Sequence, residues 1–326
     1  MIKQKLAKPF VKWVGGKGQL INTLDTLLPS NFSRLEDVTY IEPFIGGGAM
    51  LFFMLQKYSN IKKAVINDVN PNLIKAYITI KERPESLVIA LGKIQNEYLC
   101  IEEEEKRKEF FLNVRKRFNV GNLSDIDNTM YFIFLNRTCF NGLYRVNSKG
   151  EFNVPCGKYK NPKICDADTI YADSELLQRI DIISGDFEQT EQYISDNTFV
   201  YFDPPYRPLD ATSSFNSYAK EAFNDEEQIR LKRYFDRLTS KHCLMMLSNS
   251  DCRGRNPEDT FFDDLYNDYI IERVFASRSV NANPLKRGKL TELLIRNYKK
   301  TQKTSPQFYL SINTNIHEQS TYRRTI

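Results

Sequence analysis

The 326-residue sequence predicts an α/β protein built on an open, mostly parallel sheet that is interrupted midway by a helical and hairpin segment. Three observations carry this. A short apolar run, Thr198 to Phe202, stops at Asp203-Pro204-Pro205-Tyr206, and a second, Val38 to Phe44, leads into the glycine-rich turn Glu42-Pro43-Phe44-Ile45-Gly46-Gly47-Gly48. Between them, from about Pro71 to Asn136, apolar residues recur three and four apart, the period of helices.

Composition narrows the class before any motif is read. Hydrophobic residues make up 41% of the chain and aromatics 13%, which describes a foldable globular protein. No apolar run reaches membrane-spanning length, and Met1 to Leu20 is basic without the apolar segment of a secretory signal. The six cysteines, Cys100, Cys139, Cys156, Cys165, Cys243 and Cys252, show no C-x-x-C spacing, and His242 and His317 stand far apart. Reduced thiols, a cytoplasmic location and no metal site are therefore expected. The net charge is +5, and the segment from Arg137 to Lys163 alone holds six basic residues against Glu151. Such a local cationic surface suits a polyanion, although a solvated loop with incidental lysines would look the same.

Taken in order, Pro9 to Leu20 combines an apolar patch with the pair Gly15-Gly16 and with Lys17, followed by a helical pattern to Leu28. Glycines admit a ligand to the backbone, and a lysine near a helix start can meet a carboxylate or phosphate. Trp13 is the only tryptophan, and a lone tryptophan is more often core than ligand platform. Val38 to Phe44 is the first strand, the glycine turn follows, and Met50 to Leu55 is helical: the first unit of a nucleotide-binding α/β fold. The register is not G-x-G-x-x-G, and Glu42 precedes the glycines. A carboxylate there repels a pyrophosphate and attracts ammonium and sulfonium charges, which favours S-adenosylmethionine over a nicotinamide cofactor.

The second strand, Lys63 to Asp68, ends in an acidic residue 20 positions beyond Gly48, where a carboxylate can bond both ribose hydroxyls. Asn70 and Pro71 then read as the cap and first position of a helix, so Asp68 has an alternative part in capping. The acidic run Glu102 to Glu105 is a solvated helix face. Asn136 to Pro155 interleaves aromatics with cations and reads as a hairpin turning near Ser148-Lys149-Gly150. A two-stranded ribbon fits the major groove, where an arginine can grip guanine O6 and N7.

Ile182 to Phe187 restores the sheet pattern, with Asp186 at a strand end. The Asp203 strand comes next, and two prolines end it, placing Asp203 at the sheet edge where open α/β folds bind ligands. Asp203 and the Pro204 carbonyl form two acceptors for an exocyclic amine, and Tyr206 offers a ring to stack on its heterocycle. The tetrapeptide alone is equally a helix-capping aspartate before a proline turn. Arg207 to Phe223 is long enough for a mobile lid, Glu226 to Leu238 is an amphipathic helix, and Cys243 to Leu247 is a strand ending at Ser248-Asn249-Ser250. Ile270 to Phe275 and Leu290 to Asn297 are strands around a basic loop, Arg278 to Lys289, and Lys299 to Ile326 is a polar tail.

At this point the chain resembles the DNA adenine methylase (Dam) family, the α-group, D12 class, of N6-adenine DNA methyltransferases. The resemblance spans Lys8 to Tyr298. It rests on Phe10-Val11-Lys12-Trp13-Val14-Gly15-Gly16-Lys17, the Glu42 to Gly48 turn, Asn67-Asp68-Val69-Asn70 and Asp203-Pro204-Pro205-Tyr206, in the family's order.

It implies a Rossmann-like methyltransferase sheet in two parts, residues 1–70 and 166–298, around a target-recognition domain at 71–165, with a tail at 299–326. The implied cofactor is S-adenosylmethionine, held by Trp13, Lys17, Glu42, Phe44, Gly46, Gly48, Asp68, Asp186, Phe187 and Asp203. Asp203, Pro204 and Tyr206 are the implied catalytic set. The hairpin resembles that of GATC-reading members, so Arg145 is expected to read guanine and Leu143, Pro155 and Tyr159 the outer bases. Phe140 and Asn141 would insert beside a flipped adenine, and Lys12 and Arg137 join this DNA-binding set. Thr138-Cys139 departs from the family's aromatic-glycine pair.

Double-stranded DNA is the expected partner, a monomer the expected state, and a cognate restriction endonuclease an open alternative. Cytosine N4 methylation is the nearest rival chemistry. A nicotinamide-dependent oxidoreductase and a non-enzymatic DNA-binding protein are more distant ones.

Overall fold

The computed structural model describes residues 6–208, 223–276 and 290–299. The expected lid therefore lies mostly outside the described residues, at 209–222, as do the basic loop at 278–289 and the tail beyond 299. The described residues form one seven-stranded sheet: β1 (Val38–Glu42), β2 (Ile61–Asp68), β3 (Ile180–Ser184), β4 (Thr198–Phe202), β5 (Leu244–Ser250), β6 (Ile270–Ala276) and β7 (Leu290–Arg296). Their order is β3-β2-β1-β4-β5-β7-β6, and β7 runs antiparallel to both of its neighbours. From β1 the chain steps outward through β2 to β3, then returns to place β4 on the other side of β1. The crevice between the β1 and β4 carboxyl ends is thus the switch point where such sheets bind ligands.

Alternation along the central strands builds two cores. Tyr40, Ala64, Ile66, Phe199, Tyr201 and Met246 face one way. Ile41, Val65, Val200, Phe202, Met245 and Leu247 face the other, against Leu231, Tyr234, Phe235 and Leu238 of α8 (Asp225–Ser240). Each fully buried side chain of this size contributes about 1.5–3 kcal/mol by leaving water. The strands are apolar on both faces, as parallel strands covered by helices must be.

β1 is shorter than the sequence suggests because Pro43 has no N–H to continue the ladder. β5 is longer: Ser248, Asn249 and Ser250 stay in the sheet because β7 pairs alongside them.

The glycine turn opens α2 (Ala49–Lys57), and Asn70 opens α3 (Pro71–Glu82) by accepting the amides of Asn72 and Leu73. The helical stretch resolves into α3, α4 (Pro84–Leu99), α5 (Glu104–Val120) and α6 (Asp125–Thr138). Their buried residues, Tyr77, Leu91, Phe111, Phe132 and Phe134 among them, join the core on the Tyr40 face of the sheet. A further helix, α7 (Ala167–Leu177), completes this layer and was not expected from the sequence. No helix among the described residues is long and apolar enough to cross a membrane.

Candidate active site

Asp203 leaves the end of β4 at the switch point. The turn after it is held by a short relay: the Gln228 side chain donates to the Pro205 carbonyl (3.1 Å), and Asn249 donates to Gln228 (3.1 Å). Asn249 also accepts the Arg207 amide (3.2 Å), while the Ser250 hydroxyl donates to the Arg207 carbonyl (2.6 Å). Outside the turn, the Arg207 guanidinium grips Asp225 (2.8 Å) and Asp259 (2.6 Å) above the Phe261 ring. Among the described residues no hydrogen bond reaches the Pro204 carbonyl. The motif therefore keeps that oxygen available as the sequence suggests.

Lys17 lies in a 3-10 turn (Lys17–Gln19) and is buried at 4% exposure. Its ammonium sits 2.8 Å from Asp203 Oδ1 and 3.1 Å from the Gly15 carbonyl, and lies 4.4 Å from the centre of the Tyr206 ring. Burial pushes the Asp203 carboxyl upward, Lys17 opposes that, and the charge of Glu292 adds to it. An aspartate so placed is a stronger acceptor than one in water.

The glycine turn packs against Trp13. Gly46 and Gly48 have φ of 47° and 73°, which favours glycine, and a Cβ on Gly46 would lie 2.8 Å from the Trp13 ring. One Asp68 oxygen accepts the Gly46 amide (3.1 Å) and the other the Asn70 amide (2.9 Å). So Asp68 joins the glycine turn to the start of α3, and the capping alternative holds beside any ribose role. Asn67 bridges the Pro43 and Gly185 carbonyls (2.9 and 3.0 Å), tying the ends of β1 and β3, and its own buried oxygen has no partner among the described residues.

Phe44 and Phe187 form an aromatic wall, 5.3 Å between ring centres, closed by Phe223 at 5.6 Å from Phe44. Asp186 caps the 3-10 helix Phe187–Tyr193 and accepts from Arg230 (2.5 Å), whose guanidinium lies over Phe187. Glu42 is buried and accepts the Tyr40 hydroxyl at 2.6 Å. Burial, opposed by that bond and aided by Asp203, raises its carboxyl to about 8.

The segment Asn136 to Pro155 is a hairpin joined by isolated bridges, Cys139 to Cys156 and Val146 to Phe152, rather than by full strands. Asn147 accepts the amides of Lys149 and Glu151 (3.0 Å each) and so fixes the tip. Asn119 of α5 pairs with both backbone groups of Phe152 (2.8 and 3.0 Å), supplying the ladder that a neighbouring strand would have given.

Phe140, Asn141, Arg145 and Pro155 are exposed, Leu143 and Tyr159 half-buried, and Arg145 donates to Asn153 at 2.7 Å. The Lys12 ammonium lies 4.7 Å from the Tyr159 ring centre. Arg137 instead turns inward and donates to the Phe10 carbonyl (2.7 Å), and burial lowers its guanidinium below the usual value.

Two links join this hairpin to the cleft. Trp13 stacks on Tyr144 with ring centres 5.6 Å apart. Asn136, buried in α6, clamps the Lys12 amide and carbonyl (2.8 Å each) and the Gly142 carbonyl (3.0 Å).

Sequence reasoning assigned no role to Asn136, Tyr144, Arg230 or Glu292. Glu292 had a signal, a charge set within the apolar run of β7. Its side chain accepts the Tyr206 hydroxyl (2.8 Å) and lies 3.7 Å from Lys17.

Comparison with known proteins agrees with this geometry. A family profile described as D12 class N6 adenine-specific DNA methyltransferase matches residues 13–280. The Type II methyltransferase M.MjaIII of Methanocaldococcus jannaschii is 46% identical over 294 residues, which covers 89% of this chain and 99% of that protein. The Type II methyltransferase M1.LlaDCHI of Lactococcus lactis subsp. cremoris is 41% identical over 89% of this chain and 95% of its own. The DNA adenine methylase of Escherichia coli K12 is 29% identical over 89% and 95%. With its parallel sheet, its glycine turn and Asp203-Pro204-Pro205-Tyr206 at the switch point, the chain belongs to the D12 class of N6 adenine-specific DNA methyltransferases.

Proposed function

We propose that this protein transfers a methyl group from S-adenosylmethionine to N6 of an adenine flipped out of duplex DNA, within GATC. The observation that carries the reading is the pairing of the Asp203 carboxylate with the Pro204 carbonyl, which no hydrogen bond from the described residues reaches, at the β4 end beside the Gly46 to Gly48 turn.

The residues present fit the cofactor. Gly46 to Gly48 carry no side chains of their own and rest on Trp13 and Tyr77, Asp68 suits hydroxyl groups, and Phe44 with Phe187 offers a face for a purine. When bound, the cofactor supplies a methyl already activated on sulfonium sulfur.

The chain's own residues handle the amine. Adenine's amino lone pair is delocalised into the ring and is a poor nucleophile. Asp203 and the Pro204 carbonyl each accept one N–H, which draws the nitrogen toward tetrahedral geometry and frees the lone pair. These contacts strengthen as charge develops on nitrogen, so they favour the transition state over the resting amine. Lys17 fixes Asp203 Oδ1, leaving its other oxygen for the base.

The target amine is unreachable inside a stack, so the base must swing out at a cost of a few kcal/mol. The cationic hairpin is the surface we assign to the duplex, Arg145 reading guanine and Phe140-Asn141 filling the gap. Residues 71–165 then act as the recognition unit, and 1–70 with 166–298 as the catalytic one. The GATC assignment rests on the sequence resemblance of the hairpin, from Asn136 to Pro155 with Tyr159, to that of GATC-reading members of the family. The decisive experiment incubates the purified protein with methyl-labelled cofactor and duplexes containing or lacking GATC, then digests the DNA to nucleosides. N6-methyladenine confined to the GATC duplex is expected. N4-methylcytosine, or label on both duplexes alike, would overturn the reading.

A further inference from the structure

The mechanism above leaves one carboxylate beside Asp203 unused. Glu292 stands in β7 opposite Ser250 of β5 and Val274 of β6, and its side chain is 14% exposed. It shares a sheet face with Leu294, the face of Tyr201, and it reaches the cleft at the sheet's ligand-binding edge. One oxygen, Oε2, accepts the Tyr206 hydroxyl at 2.8 Å and lies 3.7 Å from the Lys17 ammonium. That ammonium is 2.8 Å from Asp203. Two acidic side chains thus flank one buried cation, and the hydroxyl of Tyr206, the fourth motif residue, closes the group.

A carboxylate in this position carries a cost. It faces Asp203 as a like charge, where a leucine or threonine would fill the space of a mid-strand residue without repulsion. We propose that Glu292 is a positioning residue for methyl transfer: it anchors the Tyr206 ring and draws part of the Lys17 charge away from Asp203, so that Asp203 keeps an oxygen free to accept the amine. The β6–β7 hairpin then contributes to the reaction as well as to the sheet. The inference rests on the reading of Asp203 as amine acceptor, and the experiment separates the two.

The test compares Glu292→Gln, Glu292→Asp, Tyr206→Phe and the Glu292→Gln/Tyr206→Phe double variant in steady-state and single-turnover kinetics, with Asp203→Ala as a control. Glu292→Gln is expected to lower kcat about tenfold, the scale of one lost hydrogen bond to a charged group, with KM for duplex DNA unchanged. Tyr206→Phe, which removes the same bond together with that hydroxyl's contact to Asp203, should lose at least a similar factor, and the double variant should be no worse than Tyr206→Phe alone. Glu292→Asp should recover part of the loss.

The acid limb of the rate profile supplies a readout that a packing role would not move. Asp203 accepts most strongly when ionised, and the groups facing it are Lys17, Glu42, Glu292, Tyr40, Tyr201 and Tyr206. Removing the Glu292 charge takes away one like charge, so the limb should shift to lower pH. Wild-type kcat with an unmoved limb in Glu292→Gln overturns the inference, as does a double variant whose losses simply add. Should Glu292→Gln fail to fold, Tyr206→Phe decides, and normal kcat there overturns it. Near-normal turnover by Asp203→Ala would instead remove the amine-acceptor reading, whereas an inactive Asp203→Ala beside a normal Glu292→Gln removes this inference alone.

Discussion

The cleft and the recognition hairpin use basic residues in opposite ways. Lys17 is 4% exposed, and its neighbours are an aspartate, a carbonyl and an aromatic ring. Arg145 is exposed, with Asn153 as its hydrogen-bond partner on the same hairpin. The cleft's charges are already satisfied inside the protein, so they orient groups for chemistry. The hairpin's charges are displayed on a surface, where a polyanion can gather them. On the proposed reading, chemistry and recognition call for opposite degrees of burial.

Each prediction bears on that contrast. The largest effect is expected at Asp203: Asp203→Ala should fold, as judged by circular dichroism and cooperative melting, yet lose methylation by about a thousandfold or more, the cost of removing a preorganised partner of the transition state. Near-normal turnover would mean the cleft does not act through this acceptor.

Asn136 is the joint between the two regions. Asn136→Ala leaves the Lys12 amide and the Lys12 and Gly142 carbonyls without their buried partner, and should cost about 2–4 kcal/mol in chemical denaturation. An unchanged midpoint would show the regions to be independent.

Arg145→Ala should cost about 1–3 kcal/mol at one base pair and relax specificity there, leaving stability unchanged. An equal loss on every sequence in a binding titration would make Arg145 a phosphate contact.

A last prediction concerns pH. Burial raises Glu42, and likewise Asp173 of α7, to about 8. The folded state thus keeps protons that the unfolded chain sheds near the ordinary carboxylate range. Stability should fall as pH rises from about 4.5 through about 8, then level off. Urea melts at pH 6 and 9 should show this fall, and Glu42→Gln and Asp173→Asn should each lessen it.

The same contrast explains what was legible in the sequence. The strands and most helices announce themselves through periodicity, and Asp203, Lys17 and the glycine turn through short motifs, because the local chain dictates their geometry. Glu292, Asn136 and Arg230 act through partners far away in the chain: Asn136 meets Lys12 across 124 residues, and Tyr206 meets Glu292 across 86. No local pattern encodes such pairs. Arg137 shows the converse, since its place in a cationic segment suggested a displayed charge, whereas its guanidinium is directed at the Phe10 carbonyl. Segment charge counts residues without saying which way each one turns. α7 lacks the long amphipathic run that marked the other helices, and its short apolar set becomes clear only against α3 and α4.

Trp13 lies against the glycine turn on one side and the Tyr144 ring on the other, and it is the sole tryptophan of the chain. The indole emission of the whole molecule therefore arises at the seam between the two regions. Its intensity and wavelength offer a label-free record of donor and duplex arriving in either order, within a single optical titration.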